Sequence, residues 1–209
     1  RTLFDYLLGR RRRKAAAFAV LGMIIGALFV WRVLAVVEMH QIEQEKLAVF
    51  QATLPEVAES VLPTALRISS IDVDTTFEEP LGVKSNYEIE VPNSYEKVGY
   101  YKFGPTPGEI GPSVILGHVD SVAGPAVLYS LGQVQVGEEI EIDREDGTTA
   151  VFIVESLERH EQEGFPTEKV YSDLEYAGLR IITCSGTYNR GVQRYSHNLI
   201  VFAKLLEIR

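Results

Sequence analysis

The chain of 209 residues contains a single cysteine, Cys184. A lone thiol excludes an internal disulfide and leaves two fates, burial as a small hydrophobic side chain or use as a nucleophile. Four histidines and one cysteine without close spacing give no metal-site signature. We therefore expect neither a metal nor a cofactor. The sequence also lacks internal repeats and low-complexity tracts.

Basic residues are scarce outside the N-terminus. The formal net charge is −9, and seven of the 20 Lys and Arg residues lie in residues 1–37, which hold one acidic residue. The remainder has 13 basic and 28 acidic residues. Such an acidic body argues against a nucleic-acid partner, since binding to phosphates needs clustered positive charge.

Residues 15–31 form a run of 17 residues without a charge, and after Arg32 the apolar pattern continues to residue 37. This is about the 20 residues that a membrane-spanning helix needs. The basic cluster at 10–14 indicates the cytoplasmic side. We predict a cytoplasmic tail (1–14), a single-pass membrane anchor (15–37), a helical stalk (38–63) and an extracytoplasmic domain (64–209). A cleaved signal peptide is the alternative, but the run is long and shows no small-x-small cleavage site at its end.

Beyond residue 64 the pattern is typical of short β-strands. Apolar and polar residues alternate, or short β-branched runs occur, without a long amphipathic helix among them. The predicted strands lie at 66–68, 71–73, 89–92, 99–103, 113–117, 139–143, 150–154, 179–183 and 199–203. About eight short strands predict a mainly β domain, a closed or nearly closed barrel with short helical turns, because closure removes exposed sheet edges.

Three side chains at strand ends could carry chemistry. Cys184 ends a buried strand, His118 follows another, and Arg194 precedes the last strand. A cysteine nucleophile needs a nearby proton acceptor or cation, acyl transfer needs a proton donor for the leaving amine, and the oxyanion needs a fixed donor such as Arg. Spacing alone does not establish that they meet, because 66 residues separate His118 from Cys184.

Longer stretches resemble the sortases, the membrane-anchored cysteine transpeptidases of bacterial surfaces. The similar stretches are GPSVILGHVDSVAGPAVLYSL (111–131), FPTEKVYS (165–172), LRIITCSGTYNR (179–190) and RYSHNLIVFA (194–203). The pattern is most similar to class F, or to a close relative in classes D and E, and covers about residues 64–206.

This resemblance implies an eight-stranded sortase-type β-barrel and a role for each matching residue. Cys184 matches the nucleophile, His118 the catalytic histidine, and Thr183 the threonine before the nucleophile, predicted to contact substrate. Ser196 stands where the family arginine is expected, so we assign that role to Arg194, which shares its strand face by two-residue periodicity, with Arg190 as the alternative. His160 and His197 are predicted to be structural.

The resemblance implies cleavage of an LPxTG-like C-terminal sorting signal through a thioester on Cys184. Transfer of the surface protein to an amine of a peptidoglycan precursor or a pilin subunit would follow. Two alternatives stay open. One is a non-catalytic surface barrel with a degraded site, and the other is a cysteine peptidase that releases its product to water.

Overall fold

The computed structural model describes residues 26, 28, 31–46, 60–85 and 88–209. The chain divides into two units, Arg1–Ala58 and Glu59–Arg209. In the first, residues 31–46 form a helix, α1, which includes residues 38–46 of the predicted stalk. Most of the predicted anchor and the rest of the stalk up to residue 59 lie outside the described residues. Among the described residues, no helix has the length and apolar character required to cross a membrane.

The second unit is mainly β, as predicted. Its strands are β1 Pro63–Ile68, β2 Val73–Thr76, β3 Gly99–Tyr100, β4 Gly111–Leu116, β5 Asp120–Ser121, β6 Gly124–Pro125, β7 Glu139–Arg144, β8 Thr149–Glu161, β9 Ala177–Asn189 and β10 Arg194–Ile208. Short 3-10 helices occur at Ser69–Ile71 and Leu131–Gln133, and α2 spans Thr167–Tyr171. Eight strands form one curled sheet in the order β2-β1-β7-β8-β10-β9-β4-β3, and β5 and β6 form a separate hairpin.

The two edges of the sheet meet through isolated bridges rather than a continuous ladder. The chain leaving β2 runs parallel to β3, with bridges between Phe77 and Val98 and between Leu81 and Tyr101. Four backbone hydrogen bonds of 2.8–3.3 Å support this contact. The observed architecture is therefore a curled eight-stranded sheet, and the predicted closure is limited to these bridges.

Alternating side chains build two hydrophobic clusters on opposite faces of the sheet. The larger one fills the concave side and contains the fully buried side chains of Phe152, Ile181 and Val201. The smaller one lies on the other face, where Val170 of α2 packs with Ile182 and its neighbours. Both clusters follow from the two-residue period of the strands, which sends successive side chains to opposite faces.

Some predicted strand bounds were wrong. Strands β8, β9 and β10 have 13, 13 and 15 residues, so they run well beyond the predicted 150–154, 179–183 and 199–203. The extensions at residues 155–161, 184–189 and 194–198 are mostly polar and pair with one another, so a search for buried apolar runs does not detect them. Residues 89–92 form no strand, and their only β-pairing is the isolated bridge between Ile89 and Val83.

Candidate active site

Two parallel strands, β4 and β9, bring His118 level with Cys184. Beyond the end of β4, Gly117 donates its N–H to the Ile182 carbonyl at 3.2 Å, and the Thr183 hydroxyl donates to the Gly117 carbonyl at 2.8 Å. The paired residues of β4 and β9 end at Leu116 and Ile182, and the same register continued by two residues sets His118 opposite Cys184. A single strand pairing therefore joins residues that are 66 positions apart in the sequence.

The His118 ring is held by the segment between β2 and β3, of which residues 89–92 were predicted as a strand. The Nε2 atom lies 2.7 Å from the Pro92 carbonyl oxygen, and the Tyr95 ring packs against the imidazole with a centroid distance of 4.5 Å. A carbonyl only accepts hydrogen bonds, so Nε2 carries the hydrogen. This leaves Nδ1 of the neutral ring as the nitrogen that can take up and return a proton.

The Cys184 thiol is free and half-buried in β9. Burial raises its pKa above the ordinary value, the Asp120 carboxylate raises that pKa further, and the Arg194 guanidinium lowers it. Because burial is the largest of these effects, the protonated thiol predominates at neutral pH. The sulfur must therefore lose its proton as it attacks, which requires a nearby base such as His118.

Arg194 begins β10 and lines the same cleft as Cys184 and Asn198. The cleft has a volume of about 500 Å³. The Arg194 Nη2 atom pairs with Glu88 Oε1 at 3.2 Å. Sequence alternation predicted that Arg194 would face this cleft, and it does, whereas Arg190 lies in the exposed turn between β9 and β10.

The walls of this cleft are largely apolar and aromatic. They combine the loop before β3 with the face of the sheet that carries the smaller cluster and with the α2 region. The lining side chains include Val83, Val91, Tyr101, Leu116, Phe165 and Tyr171. Burial raises the pKa of the Tyr171 hydroxyl to about 12, so this phenol is uncharged at neutral pH.

Thr183 is 4% exposed, and its hydroxyl is engaged by the Gly117 carbonyl. Successive side chains of a strand point to opposite faces, so the Thr183 side chain lies on the face of β9 opposite to that of Cys184. The observed role of its hydroxyl is to tie β9 to the chain just before His118. A contact between Thr183 and substrate stays a prediction.

The structure adds a carboxylate–phenol pair to the site. The Tyr195 hydroxyl of β10 donates a hydrogen bond to Asp120 Oδ2 of β5. This bond to Asp120 is the main reason that the pKa of Tyr195 rises to about 12. Asp120 belongs to the Gly-His-Val-Asp-Ser stretch noted in the sequence, but nothing in the sequence pattern indicated its partner.

The two remaining histidines of the domain have other partners. His160 Nε2 lies 2.9 Å from Glu158 Oε2, and His197 Nδ1 lies 2.7 Å from Ser196 Oγ. Their predicted structural role stays a prediction.

The half-buried thiol of Cys184 and the guanidinium of Arg194 share one cleft, and the strand register leads to His118 opposite the thiol. Together they define a candidate cysteine acyl-transfer site. A family model described as the Sortase domain matches residues 66–206. The chain therefore belongs to the sortase family, whose members are cysteine transpeptidases. This confirms the resemblance seen in the sequence, while the assignment to class F, D or E stays a prediction.

Solved structures share the fold at low sequence identity. Sortase A from Corynebacterium diphtheriae (a lid mutant) has 21% identity and a TM-score of 0.54, covering 74% of this chain and 75% of its own. Sortase C-1 from Actinomyces oris has 20% identity and a TM-score of 0.55, covering 76% and 81%. Sortase C1 from Streptococcus suis has 16% identity and a TM-score of 0.53, covering 71% and 74%. No curated protein matches the chain by sequence.

Proposed function

We propose that the protein is a membrane-anchored sortase that cleaves an LPxTG-like sorting signal and transfers the surface protein to an amine acceptor. The observation that carries this proposal is the shared cleft of Cys184 and Arg194, together with the β4–β9 register that leads to His118 opposite Cys184. Membership of the sortase family and the apolar walls of the cleft support it. Those walls suit the leucine and proline side chains of such a signal.

In the first half-reaction, Cys184 Sγ attacks the carbonyl carbon of the threonine before the scissile bond. The thiol proton passes to His118 Nδ1, and Arg194 stabilises the oxyanion of the tetrahedral intermediate. The C–N bond then breaks, and His118 returns the proton to the departing amine. This leaves the surface protein as a thioester on Cys184, with a neutral imidazole beside it.

In the second half-reaction, a primary amine attacks the thioester carbon. His118 accepts a proton from the attacking nitrogen as the C–N bond forms and the C–S bond breaks. The acceptor is an amine of a peptidoglycan precursor or a pilin lysine. Reaction with water instead of the amine would give the hydrolytic peptidase described above.

The proposed anchor is the segment 15–37, with the basic residues 10–14 in the cytoplasm. A tethered enzyme would share the membrane surface with tethered substrates, and this confinement raises their effective concentration. Protease added to intact cells should then cut the stalk between residues 38 and 63 and release the domain. Complete protection of the stalk would reverse the proposed orientation.

The test of the activity uses the full chain in detergent with a small library of LPxTG-like peptides and an amine acceptor, followed by mass spectrometry. We expect a thioester on the wild-type protein and a transpeptidation product. Cys184→Ala should show neither, because no other thiol exists in the chain. Cleavage by the variant above about a thousandth of the wild-type rate would remove Cys184 from the nucleophile's role.

A further inference from the structure

Asp120 lies two residues after His118, its charge acts on the Cys184 thiol, and no described basic residue forms an ion pair with it. Its hydrogen-bond partner is the Tyr195 hydroxyl, which binds Oδ2. Within the residues that the structure describes, none of the ion pairs involves Asp120, although Arg67, Arg144, Lys169 and Arg209 all pair with nearby acidic side chains. Tyr195 therefore orients Oδ2 of the half-buried Asp120 carboxylate, and no described residue donates a hydrogen bond to Oδ1.

The negative charge of Asp120 is unfavourable for the first half-reaction. A negative charge beside Cys184 disfavours the thiolate, and it acts against Arg194, which favours the thiolate. Once the thioester has formed, the sulfur carries no charge and this opposition ends. A carboxylate at this position is therefore suited to the second half-reaction, in which the reactant arrives as a cation.

We propose that Asp120, oriented by Tyr195, binds the ammonium group of the incoming acceptor next to the thioester. The inference rests on the proposed transpeptidase function and adds to it a binding site for the second substrate. The ligand class is a primary ammonium, either an α-amine or a lysine side chain. Both are mainly protonated at neutral pH, and both are attracted by a carboxylate.

The bound ammonium releases one proton to solvent and becomes the nucleophile. Its nitrogen attacks the thioester carbon, a second proton passes to His118 Nδ1, and the C–S bond breaks. The products are the new amide, the Cys184 thiolate and the His118 imidazolium, and proton transfer between the latter two restores the starting thiol and imidazole. No oxidant or further reactant is needed.

The experiment measures the KM for the acceptor in the full-length protein, using an LPxTG-like peptide as the donor. Diglycine amide supplies an α-amine and Nα-acetyl-lysine amide supplies a side-chain amine. Hydroxylamine serves as the matched nucleophile that is largely uncharged at neutral pH. The variants are Asp120→Asn, Tyr195→Phe and the control Asp74→Asn on β2, whose carboxylate is exposed and lies outside the site.

We expect Asp120→Asn to raise the KM of the charged amines about tenfold or more, and to change the KM of hydroxylamine much less. Tyr195→Phe keeps the carboxylate but loses its orientation, so the KM of the charged amines should rise about two- to fivefold with a smaller effect on kcat. The amine with the larger increase identifies the natural acceptor type. Asp74→Asn should behave as wild type.

Equal KM values for the charged amines in wild type and Asp120→Asn would overturn the ammonium site but not the proposed function. The same holds if Asp120→Asn raises the KM of hydroxylamine as much as that of the charged amines. A thermal melt of each variant shows whether it is folded, and Tyr195→Phe provides the test if Asp120→Asn does not fold. Absence of any thioester in the wild-type protein would overturn the proposed function and this inference with it.

Discussion

Gly186 lies two residues beyond Cys184 in β9 with a φ of +81°, at the point where the pairing with β10 shifts register. An alanine Cβ there would lie 2.4 Å from Ser196 Oγ and 2.8 Å from His197 Nδ1. Gly147, in the turn between β7 and β8, has a nearly identical φ of +82°, but its Cβ would meet nothing within 4 Å. A comparison of alanine substitutions at these two glycines therefore separates the cost of backbone strain from the cost of steric contact.

A left-handed backbone conformation costs an alanine roughly 1–2 kcal/mol, which should be the whole effect of Gly147→Ala. In Gly186→Ala the Ser196 hydroxyl must also move. It accepts a hydrogen bond from the Thr187 N–H at 2.9 Å and lies 2.7 Å from His197 Nδ1. Losing two hydrogen bonds adds about 1–2 kcal/mol, for a total of about 2–4 kcal/mol.

For a domain of about 150 residues, each kcal/mol lowers the Tm by roughly 2–4 °C. Gly147→Ala should then lower the Tm by roughly 2–8 °C, and Gly186→Ala by roughly 4–16 °C. Only Gly186→Ala should also slow peptide cleavage, by about 100-fold, since displacement of about 1 Å near a nucleophile has that effect. Circular-dichroism melts and mass-spectrometric cleavage assays measure both quantities. Equal Tm values, or full activity of Gly186→Ala, would refute the reasoning.

Two further predictions concern charged side chains. Arg194→Ala should lower the rate of peptide cleavage about 10²–10³-fold, and Arg194→Lys should retain only part of the wild-type rate. Arg190→Ala should have little effect on that rate. A large loss in Arg190→Ala with none in Arg194→Ala would identify Arg190 as the oxyanion donor. The hydrogen bond from Arg67 holds the pKa of Asp143 below its ordinary value of 3.8, so their pairing should stabilise the domain above that pH and be lost as the pH falls below it. Urea unfolding from pH 7 to pH 2 should show a shallower decline for Arg67→Met, and identical slopes would contradict this.

Sequence periodicity did not predict the partners of His118 and Arg194. Pro92, Tyr95 and Glu88 lie in an irregular segment with neither a helical nor a strand period. Their contacts with His118 and Arg194 depend on the path that this segment takes through the fold. The same reason explains why residues 89–92 were predicted as a strand: a short apolar run does not reveal that its backbone finds no continuous partner.

The sequence by itself determined the mainly β architecture, the lone thiol and the family, because these depend on local alternation, composition and motifs. It also placed Arg194 on the cleft face, since parity along one strand is a local property. Only the tertiary structure decided that β4 lies parallel to β9, that Tyr195 meets Asp120, and that Gly186 packs against Ser196. The first two contacts join residues distant in the chain, and the third depends on the register between neighbouring strands. Periodicity indicates which side chains of a strand are buried, but not which strand lies beside it or in which register.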